Sequence, residues 1–243
     1  MFSPALSEIR FGCGLSPDVP PKGSAEAMLE GLSGIDHMAA AFPIDDFDNL
    51  LPQVAAFNEL RRSVRKARGT EAFDDLDNQR KSQHKKMRQT RIRWFGQTVL
   101  RYSQTADGFR ERLALFWSDH FTAQGKGGLL RLMGAPYVES AIRPYLAGSF
   151  SELLISAVTH PLMLHYLDQT GSIGPGSIRA TKSGQQTQGP LGLNENLARE
   201  VMELHTLGAD GPYGQQDIRQ LSELFTGLVF NGKSGSMFRP KLA

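Results

Sequence analysis

Glu195, Arg199, Glu200, Glu203 and His205 crowd into one stretch, Leu193-Asn-Glu-Asn-Leu-Ala-Arg-Glu-Val-Met-Glu-Leu-His-Thr-Leu-Gly208. Carboxylates, a guanidinium and an imidazole at this density can hold a metal, move a proton or form an ionic clamp. On a helix, Leu197, Val201 and Leu204 make one apolar stripe, and Glu195, Arg199 and Glu203 follow one another four residues apart on the opposite side. Glu200 and His205 fall on the two flanks of the stripe. Exposed, such a ladder is worth only a few tenths of a kcal/mol per pair; buried, it must be paired and is a candidate for function. Glu200 and Glu203, three apart, could share a divalent metal, but the Glu-x-x-His spacing of helical di-metal sites is missing, because His205 follows Glu203 by two.

Two further histidines could complete such a site. His120 lies beside Phe116, Trp117 and Phe121 on a segment opened by Asp107, an environment typical of a hydrogen-bonded core histidine. His160 precedes Pro161, and Thr159-His160-Pro161 reads as a helix break with proline at the first position of the next helix. That places His160 at an N-cap, facing a cleft or solvent.

The elements that must position these groups are helical. Irregular sequence rich in Gly and Pro occupies residues 12–24, after a short helix at 4–10. Ser24 caps a helix to about Leu32, and Asp45 or Asp46 starts another that runs into a basic stretch. Ile92, Phe95, Val99 and Tyr102 recur at helical spacing and are expected to face the core, with Trp94 beside them; Phe109, Leu113, Phe116, Trp117 and Phe121 mark another packed helix. Pro136 to Leu146 and Phe150 to Thr159 are helical, and Gln215 to Leu228 is amphipathic with Ile218, Leu221, Leu224, Phe225 and Leu228 inward. Residues 170–192 read as a flexible Gly/Ser/Gln loop able to cover the polar helix, and Asn231 to Pro240 as unstructured. The fold class is therefore all-α: a single domain over 1–243, an irregular multi-helix bundle with long loops.

Composition excludes more than it selects. The 243 residues carry a formal charge of +2, so an electrostatic partner must be argued locally. A single cysteine, Cys13, rules out a disulfide framework and a cysteine-based zinc site. With no signal-peptide pattern and no run of 18 apolar residues, the expectation is a soluble, cytoplasmic protein. Between Glu59 and Arg93 stand twelve Lys or Arg against five acids. The acids at 71–77 offset part of that charge and no aromatic residue for base stacking lies in 74–93, so the stretch reads as a solvated face before a nucleic-acid interface. No nucleotide-binding glycine loop, Gly-x-Ser-x-Gly elbow or His-Glu-x-x-His helix is present.

Leu115-Phe-Trp-Ser-Asp-His-Phe121, His160-Pro-Leu-Met-Leu-His-Tyr-Leu-Asp168, the block Asn194 to Gly208, Tyr213, and Asp217 through Leu-Phe-Thr-Gly227 occur in an order that resembles the bacterial family catalogued as domain of unknown function 1800. Ile9-Arg-Phe-Gly12 is similar to that family's opening. The resemblance implies a mostly helical protein without an assigned reaction, and a chain that ends before family members do, so that a site completed by a further segment would be incomplete. Gly214 stands where the family has a capping Ser or Thr. The resemblance also shifts the expectation for Glu195, Arg199, Glu200, Glu203 and His205 toward a buried cluster, with His120 and His160 as neighbours. Three functions follow. One is a metal-dependent enzyme using His120, His160 and Glu200 or Glu203; the second is a non-catalytic helical scaffold that binds a partner protein; the third is a nucleic-acid binder using residues 61–93.

Overall fold

The computed structural model describes residues 1–183, 192–231 and 235–243, and they are predominantly helical. Ser3 caps α1 (Pro4–Phe11), Ser24 caps α2 (Ala25–Ser33) and Asp36 caps α3 (His37–Ala41), each accepting a backbone N–H in the first turn. Asp46 caps α4 (Phe47–Lys66), whose Phe47, Leu50, Leu51, Val54 and Phe57 repeat at three and four residues and are buried. Gly69, at φ +82°, makes the turn into α5 (Phe73–Gln104), which packs back along α4.

The apolar stripe expected on α5 is corrected. Met87, Trp94 and Arg101, seven residues apart, form its buried seam, while Ile92, Phe95 and Val99 stand in solvent. Trp94 is the larger group, and its indole N–H donates to Asp45 at 2.7 Å, so the helix is rolled to bury Trp94 and not Phe95.

Helix α6 (Gly108–His120) turns Ala114 and two charged residues, Arg110 and Glu111, inward and leaves Phe116 outside. Next comes a composite element: α7 (Gly134–Tyr137) passes without a break into π-helical turns at Val138–Ile142 and a 3₁₀ turn at Arg143–Tyr145. Ser149 and Glu152 form a capping box that starts α8 (Phe150–Thr159), and His160 with Pro161 starts α9 (Pro161–Tyr166) as the sequence predicts. Where a structureless loop is expected from residue 170, a 3₁₀ turn at Gln169–Gly171 and a helix α10 (Ile178–Ser183) are found; residues 184–191 of that loop lie outside the described residues. The polar helix is α11 (Asn196–Glu200) continued by π turns at Val201–Thr206, and Gly214 precedes α12 (Gln215–Leu224).

The expectation of unstructured residues after Asn231 is also corrected. Strands β1 (Leu228–Asn231) and β2 (Gly235–Phe238) pair antiparallel, with Leu228 opposite Phe238 and Asn231 opposite Gly235. Gly227 and Gly235, both at positive φ, provide the bends that this hairpin needs, and its buried Val229 packs against the helices. One hydrophobic cluster, running from Leu32 to Val201 and including Phe47, Trp94, Phe121, Tyr137 and Leu162, ties the helices together.

Candidate functional site

The π turns at Val201–Thr206 decide what the polar helix presents. Leu207 donates its N–H to the carbonyl of Met202, five residues back, so more than four residues make one turn. The residue four after Val201 faces the core in place of the residue three after it. His205 is buried, and Leu204, assigned to the apolar stripe, is 62% exposed.

The expected buried cluster is correspondingly reduced to one member. Arg199 sits between Glu195 and Glu203, 3.1 Å from each, and donates to Gln215 at 3.0 Å; Gln215 in turn donates to Glu195 at 2.7 Å. These side chains are about one-third exposed, an ion-pair ladder that staples α11 to the start of α12. The hydrogen bond that Arg199 donates to Glu203, and then the neighbouring carboxylate charges, raise the Arg199 pKa and keep it cationic. Glu200 is half-buried and has no hydrogen bond or ion pair among the described residues.

The Asn-Glu-Asn block has a structural task. Asn194 donates from Nδ2 to the carbonyls of Leu167 and Asp168, at 3.0 and 2.9 Å, and its Oδ1 accepts from the N–H of Asn196. It thereby holds the turn at Asp168, the one non-glycine residue with positive φ among those described.

His120 and His205 come together with their ring centroids 5.8 Å apart, against Phe121 and Trp117. His120 Nε2 lies 3.1 Å from the carbonyl oxygen of His205, so this nitrogen is the protonated one and donates. Burial, and then the adjacent His120, lower the pKa of His205 to about 4, and its Nδ1 is buried without a partner. His205 therefore stays neutral at neutral pH.

His160 lies on the other side of this wall. Its ring packs edge-on against Phe47 and Tyr137, and the Tyr137 hydroxyl donates to the carbonyl of Phe121 at 2.8 Å, the residue whose ring touches His120 and His205. Nδ1 of His160 accepts the N–H of Leu162 at 3.1 Å, so the proton of the neutral ring resides on Nε2. Burial lowers the pKa to about 3, against a small opposing effect of Asp46. The imidazole is a neutral hydrogen-bond donor, with Nε2 unpartnered among the described residues.

That ring borders a cleft of about 490 Å³, lined also by Asp48, Ser140, Tyr145, Glu152, Ser156 and Thr159. Ser140 is held within the Val138–Ile142 π turns and accepts from the N–H of Phe47 at 2.9 Å, with the Asp46 carboxylate 3.1 Å away. Glu152 is kept ionised by the hydrogen bonds from the Ser149 side chain and backbone, which lower its pKa. Sequence reasoning found His160 and missed Asp48, Ser140 and Glu152. The Ser149-x-x-Glu152 capping box was the readable signal for one of them.

It also missed the most buried charges. Arg143 donates to Glu111 at 2.9 and 2.6 Å and to Asp36 at 2.5 and 2.8 Å, and Arg110 donates to the carbonyls of Gly31 and Gly34. Arg101 pairs with Glu139 at 2.6 Å and caps the carbonyl of Phe42. Burial pushes the Asp36 carboxyl up, but the hydrogen bonds from Arg143 and Ala39 outweigh it and the net shift is downward.

As for metal, no group of three or more His, Cys, Asp or Glu side chains converges among the described residues, so His120, His160, Glu200 and Glu203 do not assemble a shared donor set. No helix among them is long and apolar enough to cross a membrane.

In comparisons with known proteins, the family model described as "Protein of unknown function (DUF1800)" matches residues 10–242. No curated protein matches, and no solved structure does.

Proposed function

The chain belongs to the DUF1800 family, and from that premise and the geometry above we propose that it is a helical enzyme acting by acid–base chemistry on a small polar molecule bound beside His160. The observation that carries this reading is a neutral histidine, fixed in its Nε2–H tautomer, bordering a polar cleft of about 490 Å³. A buried neutral imidazole is a hydrogen-bond donor that polarises a carbonyl or hydroxyl oxygen without requiring protonation, and it costs no reorganisation when the oxygen gains charge. Asp48 and Glu152 supply carboxylates at the same cleft to accept a proton. The π turns that place Ser140 support the assignment, because such turns recur where a helix must present a side chain off its regular register. Asp48 and Glu152 line the cleft with negative charge, Asp46 adds to it at His160, and together they disfavour an anionic substrate.

His160→Asn tests the proposal, since asparagine keeps an N-cap acceptor and removes the Nε2–H. A set of small amides, ketones and polyols is screened by saturation-transfer NMR against the wild type and this variant. Compounds bound by the wild type should lose roughly tenfold or more in affinity in the variant, as expected when a buried donor's partner is removed. Equal binding to both proteins sinks the assignment. The scaffold alternative draws on the Arg143, Glu111 and Asp36 network, which fixes helix register whether or not the cleft is catalytic.

A further inference from the structure

The stripe on α5 that sequence reasoning sends to the core is outside, and its composition changes along its length. Lys81, Lys85, Arg88, Ile92, Phe95 and Val99 are spaced by four and three residues in alternation, so they share one helix face. All six are exposed, Phe95 at 69% and Ile92 at 68%. The face runs about 27 Å, basic in its first half and apolar in its second. Of the twelve cations between Glu59 and Arg93, only Arg80, Lys81 and Arg93 have an acidic partner among the described residues; Arg61, Arg62, Arg65, Lys66 and the others have none. Twelve against five leaves seven positive charges on this hairpin, and since the chain carries +2 in total the remainder carries −5.

We propose that the outer face of α5 docks on an anionic lipid surface, lying flat with Lys85 and Arg88 among the headgroups and Phe95, Ile92 and Val99 at the acyl boundary. Charge complementarity selects the occupant. A second copy in parallel would set Lys85 and Arg88 against their own kind, and an antiparallel one would lay the apolar half against the basic half. A nucleic-acid backbone would reward the cations and leave Ile92, Phe95 and Val99 in water. A bilayer surface rewards both halves, and a face basic in one half and apolar in the other lies along the surface and not across it.

The test is cosedimentation of the full chain with vesicles of phosphatidylcholine alone and of phosphatidylcholine mixed with phosphatidylglycerol, at low and high salt. Binding is expected only to the anionic vesicles and is lost at high salt. Lys85→Gln with Arg88→Gln lowers the partition coefficient roughly twentyfold, and Phe95→Ser roughly tenfold, while thermal unfolding is unchanged because all three side chains are exposed. Equal binding to the two vesicle types, or no binding to either, overturns the proposal. So do tighter binding to duplex DNA that ignores Phe95→Ser, and a dimer in solution that Phe95→Ser abolishes.

Discussion

Arg143→Ala opens the buried ionic network at its centre. Glu111 is 1% exposed and loses both of its guanidinium bonds, whereas Asp36 lies nearer the surface and keeps the Ala39 N–H. Most of the cost is therefore one uncompensated buried carboxylate, and removal of one partner of such a pair costs about 3–5 kcal/mol. For a chain of this size that corresponds to a fall in Tm of roughly 10 °C. Urea unfolding followed both by circular dichroism and by tryptophan fluorescence, to which the buried Trp94 contributes, measures the difference. Arg143→Met with Glu111→Leu should recover much of the loss, because both charges then leave together. A single-variant cost below about 1 kcal/mol, or no recovery in the double variant, would refute the argument that an unpaired Glu111 is what the network prevents.

Further outcomes follow from the other buried groups. His160 and His205 have folded pKa values of about 3 and about 4, below the unfolded value near 6.5; the unfolded chain binds the extra protons, so stability is full above pH 6.5 and falls as the pH drops below it, by up to ~1.4 kcal/mol per pH unit for each histidine. Proton NMR of the ring signals should find neither histidine titrating between pH 5 and 8. Leu204→Ser should change stability by less than about 0.5 kcal/mol whereas Leu197→Ala should cost about 2–5, a contrast in urea midpoints that vanishes if Val201–Thr206 is an ordinary α-helix. Tyr137→Phe leaves the Phe121 carbonyl without its donor and should cost about 1–2 kcal/mol by thermal denaturation.

Local signals were the legible ones. Ser24, Asp46 and Pro161 mark helix starts through bonds made within one turn, and all three are where the sequence puts them. The α5 stripe misled because periodicity names two flanks of a long helix without saying which meets the core; the Asp45 partner of Trp94 lies 49 residues away. The π turns escaped because nothing in Val201-Met-Glu-Leu-His-Thr206 departs from helical composition, so Leu204 and His205 exchanged places unseen. Of the site, His160 at its cap was readable, while Asp48, Ser140 and Glu152 reach the same cleft from three separate elements. The buried cluster was sought in the ladder of four-residue spacing and found instead among Asp36, Glu111 and Arg143, which no periodic pattern joins.

That separation along the chain also sets an order of events. Arg143 is 107 residues from Asp36 and 32 from Glu111, so the network closes only after long loops have been drawn in. As the chain leaves the ribosome, α4 and α5 can pair at once through their short turn, but Glu111 has to wait, hydrated, until Arg143 has emerged and folded back. Burial of Glu111 on α6 is therefore tied to the arrival of Arg143 and not to the pairing of α4 with α5.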